Sequence, residues 1–323
     1  MCTAVSYKTK AHYFGRNLDL CCSYNEAVAF TPRNYPFHFR HKPVMDAHYA
    51  MIGMAAVVEG YPLYYEATNE AGLSIAGLNF PGNAVYLPCA DGRDNITPFE
   101  LIPWILGQCG NAAEAETLLG RINLTDENFS DELPLSPLHF IISDKDRTIT
   151  AEPLADGIRI YDDPAKVLTN NPPFDYHMLN LANYMGITSQ IPVNRFSDEL
   201  SLRPFSLGMG SIGLPGDMSS PSRFVRAAFV RMNSVSDGTE DDSVSQFFHI
   251  LSSVSQPKGC TETEEGYEYT MYSSCCNTDT GVYYYTTYEN SCVCAVDMKR
   301  CDPYSGEITK YPLLRKMKTI WQN

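Results

Sequence analysis

Apolar and polar residues alternate at the start of the chain with the period of two that is typical of β-strands. Residues 2–7 and 12–17 show this pattern, and the polar segment Lys8-Thr9-Lys10-Ala11 between them indicates a turn. We therefore predict an N-terminal β-hairpin that begins at Cys2. Similar patterns predict further strands at residues 26–31, 49–58, 64–68, 73–78, 139–143, 148–153, 157–161, 267–273, 281–288 and 292–297.

The spacing of apolar residues changes to a helical one after residue 96. Thr97-Pro98-Phe99-Glu100 has the form of a capping box with proline at the first helical position, which predicts a helix to about Gln108. A second helix is predicted over residues 111–120, and two more begin at Ser220-Pro221 and at a cap formed by Asp242.

The predicted elements follow the order strands, two helices, strands, two helices, strands. Strands that are separated from the helices in this way indicate an α+β fold rather than a βαβ repeat. No internal repeat or low-complexity linker divides the chain, so we predict one domain over residues 2–323.

Composition and charge limit the possible partners. Hydrophobic residues make up 44% of the 323 positions, which is enough for a sizeable core, and the net charge of −14 argues against binding to nucleic acid. Neither a signal peptide nor an apolar run of the roughly 18 residues that span a membrane is found. We therefore expect a cytoplasmic protein, in which the eleven cysteines are reduced.

Cys2 follows the initiator methionine directly, and cysteine is small enough for an aminopeptidase to remove Met1. Removal would leave a thiol nucleophile and a free α-amine on one residue. An α-amine has an ordinary pKa of about 7.7–8.0, so near neutral pH a fraction can accept the thiol proton and later return a proton to a leaving amine. The alternative is a cysteine that stands in a frayed terminus by chance.

Gly15-Arg16-Asn17-Leu18-Asp19 places opposite charges at the end of the second predicted strand, within reach of Cys2 if the hairpin forms. A carboxylate at this position could orient the α-ammonium group, and a guanidinium group could favour the thiolate. A solvated surface ion pair is the alternative interpretation.

Other motifs do not lead to a site. Residues 208–213 match the dinucleotide-binding spacing, but no strand precedes them and Leu214-Pro215-Gly216 follows where a helix should begin, so a loop is the better interpretation. The spacings of zinc proteases and serine hydrolases are absent. Cys292 and Cys294 share one face of a predicted strand, but no C-x-x-C pair occurs, and we predict neither a metal nor a cofactor.

Seven short motifs carry a family resemblance that extends over essentially the whole chain. They are Met1-Cys2-Thr3, Gly15-Arg16-Asn17-Leu18-Asp19, Asn69-Glu70-Ala71-Gly72-Leu73, Gly77-Leu78-Asn79-Phe80-Pro81, Leu168-Thr169-Asn170-Asn171-Pro172, Leu214-Pro215-Gly216-Asp217 and Ser222-Arg223-Phe224. Their order and sequence resemble the choloylglycine hydrolase family, which contains bile salt hydrolases and penicillin V acylases. The resemblance implies a four-layer αββα N-terminal nucleophile hydrolase fold, with two antiparallel sheets between helices, and a homotetramer.

The resemblance also implies the functional residues. It implies Cys2 as nucleophile and base, with supporting catalytic positions at Arg16, Asp19, Asn79, Asn170 and Arg223. It implies an apolar substrate pocket lined by Leu18, Val58, Tyr65, Phe129 and Leu133, for which ordinary core packing is the alternative. The loop at residues 125–136 is expected to influence substrate preference.

Asn79 is informative within the family, because bile salt hydrolases typically carry asparagine at this position and penicillin V acylases typically carry tyrosine. We therefore predict hydrolysis of the amide bond in glycine- or taurine-conjugated bile salts. The alternatives are a penicillin V acylase or another N-acyl amide hydrolase, and a non-catalytic binder of amphipathic ligands.

Overall fold

The computed structural model describes residues 1–323. The strands in the first part of the chain are β1 (Cys2–Lys8), β2 (His12–Leu20), β3 (Ala27–Thr31), β4 (Met51–Val58), β5 (Tyr61–Asn69), β6 (Ser74–Asn79), β7 (Asp94–Ile96) and β8 (Ile122–Leu124). Those in the second part are β9 (Leu138–Ser143), β10 (Thr148–Leu154), β11 (Gly157–Asp162), β12 (Val167–Leu168), β13 (Glu262–Thr263), β14 (Gly266–Tyr267), β15 (Tyr269–Asn277), β16 (Val282–Thr287), β17 (Cys294–Asp297) and β18 (Thr309–Pro312). The helices are α1 (Leu101–Gln108), α2 (Ala112–Leu119), α3 (Phe174–Leu181), α4 (Ser220–Asn233) and α5 (Glu240–Ser252).

Two antiparallel sheets form the centre of the molecule. One sheet has six strands in the order β12-β1-β2-β15-β16-β17, and the other has eight in the order β11-β10-β9-β6-β5-β4-β3-β18. Strands β1 and β2 of the first sheet pack against β6 of the second, α4 and α5 cover the six-stranded sheet, and α1 and α2 cover the eight-stranded sheet. This arrangement confirms the predicted α+β class and its four αββα layers.

Buried side chains hold these layers together in two clusters. The larger cluster joins both sheets to α4 and α5 and includes Phe14, Met54, Leu78, Phe224 and Phe247. The smaller cluster lies between the eight-stranded sheet and α1 and α2. Burying one large apolar side chain contributes roughly 1.5–3 kcal/mol, so the many side chains in these clusters supply the main drive for stacking the layers.

The N-terminal hairpin has the predicted position and turn. Cys2 lies opposite Leu18, and Lys8 lies opposite His12, so the strands pair over their whole length. Gly15 in β2 lies so close to β15 that a Cβ atom there would be 2.0 Å from the carbonyl oxygen of Ser274. Glycine at this position therefore allows β2 to occupy the centre of its sheet.

Several predicted elements are confirmed, and others need correction. The capping box at Thr97 is present before α1, and residues 208–213 form a loop with one 3-10 turn. The cap of α5 is Thr239 and not Asp242, because the Thr239 side chain accepts a hydrogen bond from the Asp242 amide. Asp242 instead lies in the first turn, where its charge complements the helix dipole.

Several elements have no counterpart among the predictions, among them β7, β8, β12, β13, α3 and β18. Helix α3 begins directly after Pro173, which occupies the N-cap position. Strand β18 pairs with β3 and forms one edge of the eight-stranded sheet. None of the helices is both long and apolar enough to cross a membrane.

Candidate active site

Cys2 is buried at the start of β1, at one end of the stacked sheets. Only 3% of its surface is exposed. Because paired residues in adjacent strands point to the same face, the Cys2 side chain shares a face with Leu18 and with Arg16 two residues away. This face is the one that packs on the eight-stranded sheet, since Arg16 reaches backbone carbonyl groups there.

Met1 covers Cys2 and extends the strand pairing by one residue. The Met1 ammonium group donates to the Asp19 carbonyl oxygen at 3.0 Å, and the Asp19 amide donates to the Met1 carbonyl oxygen at 3.0 Å. The ammonium group also forms an ion pair with the Glu268 carboxylate. Removal of Met1 would therefore leave the Asp19 amide, the Asp19 carbonyl oxygen and the Glu268 carboxylate without their present partner, next to Cys2.

Asn170 and Arg223 fix the backbone nitrogen and oxygen of Cys2. The Cys2 nitrogen donates to Asn170 Oδ1 at 2.8 Å, and Arg223 Nη2 donates to the same oxygen at 2.7 Å. Arg223 Nη1 donates to the Cys2 carbonyl oxygen and to Thr3 Oγ1. After loss of Met1, the same nitrogen would be the α-amine, and Asn170 already accepts a hydrogen bond from it.

Arg223 is fully buried on α4. Burial lowers its pKa, and the neighbouring Asp19 and Cys2 act in the opposite direction. The loop that carries Asn170 is fixed in turn, because the Asn170 amide donates to Ser220 Oγ at 2.8 Å and its carbonyl oxygen is 2.8 Å from His177 Nε2. Burial lowers the pKa of His177 to about 4, so its imidazole is neutral near pH 7.

Arg16 is buried between the two sheets. Its Nη1 donates to the carbonyl oxygens of Tyr65 at 3.1 Å and Gly77 at 2.6 Å, and its Nη2 has no hydrogen-bond partner within the protein. Burial alone would lower the pKa of Arg16, but the nearby Cys2 thiol, together with other acidic groups, raises it above its ordinary value. The structure therefore places a permanently charged guanidinium group on the same face of the sheet as the Cys2 side chain.

Asp19 is held by a polar network on the other face of β2. Its Oδ1 accepts from Thr270 Oγ1 at 2.6 Å, and its Oδ2 accepts from Gln256 Nε2 at 3.1 Å. In the chain that retains Met1, Asp19 pairs with the N-terminal residue through its backbone. In this chain Glu268 forms the ion pair with the terminal ammonium group of Met1. A contact between the Asp19 carboxylate and the α-amine of Cys2 after loss of Met1 stays a prediction.

A cleft of about 500 Å³ opens beside Met1. Asn79 and Asn170 line it, and Asn170 Nδ2 donates to the Asn79 carbonyl oxygen at 2.7 Å. Asn79 is the last residue of β6 in the eight-stranded sheet, and Asn170 follows β12 of the six-stranded sheet by two residues. Hydrogen bonds from their side chains to an oxygen bound in the cleft stay a prediction.

The residues expected to form an apolar pocket are less closely grouped, and none of them lines this cleft. Leu18 is buried opposite Cys2, and the Tyr65 carbonyl accepts from Arg16. Val58 ends β4, while Phe129 packs on Tyr61 and Phe99, with ring centroids 5.9 Å and 5.2 Å apart. Leu133 donates its amide to Ser130 within the loop at 125–136. Their contact with a substrate stays a prediction.

Some residues at the site were not anticipated. Thr3 accepts a hydrogen bond from Arg223, and Ser220 accepts one from the Asn170 amide. Glu268 forms an ion pair with Met1. Glu66 accepts hydrogen bonds from the hydroxyl groups of Tyr272 and Tyr283. Only Glu66 had a sequence signal, because it is the single charged residue of β5 and a lone carboxylate in a strand of this kind indicates a buried polar contact.

A buried cysteine at the first position of β1 in an αββα sandwich is the arrangement found in N-terminal nucleophile hydrolases. The sequence of residues 2–307 matches the model of the linear amide C–N hydrolases of the choloylglycine hydrolase family. The chain therefore belongs to this family, and it is an amide hydrolase.

Individual relatives agree with this assignment. The chain is 54% identical over 314 residues, 97% of both chains, to a bile salt hydrolase/transferase of Lactiplantibacillus plantarum. A mutant conjugated bile acid hydrolase from Clostridium perfringens has a similar structure, with a TM-score of 0.92, 35% identity and full coverage of both chains. The penicillin V acylase of Agrobacterium tumefaciens shares the fold, with a TM-score of 0.76, 20% identity and coverage of 96% and 90%.

Proposed function

We propose that the chain is a single catalytic domain over residues 2–323 that hydrolyses glycine- or taurine-conjugated bile salts. The observation that carries this proposal is the position of the Cys2 nitrogen at 2.8 Å from Asn170 Oδ1, beside a cleft that also contains Asn79. The identity of 54% with a bile salt hydrolase/transferase supports this choice of substrate.

The first half of the reaction forms a thioester on Cys2. The thiol sulfur attacks the amide carbonyl carbon while the thiol proton moves to the Cys2 α-amine. The carbonyl becomes an oxyanion, and amide groups of Asn79 and Asn170 donate hydrogen bonds to it. The α-amine then gives its proton to the leaving nitrogen, the C–N bond breaks, and glycine or taurine departs.

The second half restores the enzyme. The α-amine takes a proton from water as the water oxygen attacks the thioester carbonyl carbon. The C–S bond then breaks, the bile acid is released, and the sulfur regains its proton. Arg16 stabilises the thiolate, while Asp19 and Arg223 hold the ends of β2 and β1 in register around it. Leu18, Val58, Tyr65, Phe129 and Leu133 contact the apolar steroid.

Asn79→Tyr is expected to shift selectivity from bile salts towards penicillin V. Asparagine leaves room for a bulky acyl group and can donate a hydrogen bond, whereas a tyrosine ring would fill that space and stack on a phenoxy group. Shape discriminates by roughly 1–3 kcal/mol per small group, so we expect a change of about 10- to 100-fold in the selectivity ratio. The measurement is kcat/KM for glycocholate, taurocholate and penicillin V in both proteins.

Two results of this measurement would count against the proposal. Faster cleavage of penicillin V than of either bile salt by the wild type would exclude the bile salt assignment. An unchanged ratio in Asn79→Tyr would show that another segment sets the selectivity, and the loop at 125–136 would then be tested by the same assay.

A cytoplasmic homotetramer is part of the same proposal, and an exposed apolar segment supports assembly. Residues 185–212 carry large apolar side chains on irregular backbone, and Phe196 and Phe205 are 80% and 88% exposed. The segment is fixed at its base, because the Thr188 amide donates to the Gly210 carbonyl oxygen at 2.8 Å and a Cβ on Gly210 would lie 2.0 Å from the Gln190 oxygen. Exposed apolar surface of this kind is typical of an interface.

Sedimentation equilibrium tests the assembly. We expect tetramers at micromolar concentration, and dissociation when Phe196 and Phe205 are both replaced by aspartate, because burying two uncompensated charges opposes association. The exposed Leu314→Asp serves as the control, since it lies outside this segment. A monomeric wild type would contradict the proposed tetramer.

A further inference from the structure

Three side chains with metal-binding atoms meet on the surface, apart from the cleft beside Met1. They are His41, Cys89 and Glu127, and their donor atoms all lie within 4.8 Å of one another. Cys89 Sγ is 3.5 Å from His41 Nε2, and the same nitrogen forms a short hydrogen bond with Glu127 Oε1. None of the three residues lines the cleft.

We propose that these three residues form a zinc site. Zinc prefers a tetrahedral set of thiolate, imidazole and carboxylate ligands. With Zn–S and Zn–N bonds of about 2.3 and 2.0 Å at a tetrahedral angle, the sulfur and nitrogen atoms would be about 3.5 Å apart, which is the separation of Cys89 Sγ and His41 Nε2. The ion would replace the hydrogen bond between His41 and Glu127, and water would occupy the fourth position.

The charges of the three ligands suit a divalent cation. The Cys89 thiolate and the Glu127 carboxylate carry two negative charges, and a neutral His41 adds none. Binding forms a Zn–S bond and releases the thiol proton to solvent, without any change of oxidation state. Without a metal, a partly exposed contact between a histidine and a carboxylate contributes little to stability.

Each ligand stands on a backbone segment that is already fixed. His41 lies between Phe37 and Met45, whose amide and carbonyl groups exchange two hydrogen bonds of 3.0 Å. Cys89 precedes Ala90, whose amide and carbonyl groups both bind the Asn95 side chain, at 2.9 Å and 3.0 Å. Such anchoring reduces the entropy that is lost when the ligands close on an ion.

The third ligand connects the metal to the loop at 125–136. Glu127 follows Thr125, whose amide donates to the Ile96 carbonyl oxygen at 3.0 Å. On the far side of Glu127, Arg40 Nη2 donates to the Phe129 carbonyl oxygen at 2.6 Å. Zinc would add a further link at the start of this loop and tie it to the segments of His41 and Cys89. It would act on the order of this loop and not on Cys2.

Zinc binding to the full-length Cys2→Ala protein tests the proposal, because this variant removes the active-site thiol as a competing ligand. We expect one zinc ion per chain by calorimetry, and a weakening of at least about 100-fold in Cys2→Ala/Cys89→Ser. The control is Cys2→Ala/Cys260→Ser, which removes another exposed thiol and should retain the site. Cobalt should show a thiolate charge-transfer band that disappears in the Cys89→Ser protein.

A second variant shows whether the loss of zinc binding comes from the missing ligand or from a structural effect of the serine substitution. His41→Gln in the same background should weaken zinc binding by a similar factor, with an unchanged far-UV circular dichroism spectrum. Equal zinc affinity in the Cys89→Ser and Cys260→Ser proteins would overturn the proposal. A cobalt band that persists without Cys89 would do the same.

Discussion

Cys2→Ala is expected to abolish amide hydrolysis, with kcat/KM reduced on the order of 10⁴-fold or more. The substitution removes the only atom that forms the thioester in the proposed mechanism. The fold should persist, because Cys2 and alanine are similar in size and the Cys2 nitrogen keeps its contact with Asn170 Oδ1. Steady-state assays with glycocholate, together with thermal unfolding, measure both effects.

Cys2→Ser separates the geometry from the chemistry of the nucleophile. The hydroxyl group keeps the position but is a far weaker nucleophile than a thiol, so we expect severe impairment here as well. Cys260→Ser is the matched control and should retain activity, because that thiol is exposed and lies outside the cleft. Normal turnover by Cys2→Ala would place the chemistry at another residue.

Arg223→Ala is expected to give the second largest effect, a fall in kcat/KM of about 10²–10³-fold. Arg223 is the shared donor for the Cys2 carbonyl oxygen, Thr3 Oγ1 and Asn170 Oδ1. Without it, these buried acceptors lose a charged partner, and both the nucleophile and Asn170 are displaced. The fall should appear mainly in kcat, since Arg223 does not line the cleft.

Two further variants distinguish positioning from general stability. Arg223→Lys keeps a positive charge but loses the planar fork, so we expect only partial recovery. Arg226 lies on the same helix, and its guanidinium group donates to the carbonyl oxygens of Pro215, Asp217 and Ser253. Arg226→Gln should therefore lower the free energy of unfolding more than it lowers kcat. Equal losses of kcat in the Arg223 and Arg226 variants would contradict a positioning role for Arg223.

The local parts of this site could be predicted from the sequence. The alternation of residues 2–7 and 12–17 correctly predicts the hairpin, and the hairpin alone places Arg16 and Leu18 on the same face as Cys2. The chemistry of an N-terminal cysteine follows from one residue. The family motifs add Asn79, Asn170 and Arg223, which the structure brings to the same end of the sheets as Cys2.

Contacts between distant segments could not be predicted in the same way. Glu268 reaches the N-terminus only because β15 pairs with β2, and no local pattern around residue 268 indicates this. The cluster of His41, Cys89 and Glu127 draws on three loops, so it lacks the short ligand spacing by which metal sites are recognised. Helix α3 has no counterpart among the predicted helices, and it begins directly after Pro173, which occupies its N-cap position.

The central claim is that Cys2 acts as the first residue of the mature chain, with its own α-amine as the base. The most direct test is the intact mass of the active enzyme, measured before and after rapid quenching with a bile salt substrate. We predict a chain that lacks Met1 and carries the transient acyl group on Cys2. A fully active enzyme that retains Met1, or an acyl group on any other residue, would contradict this account.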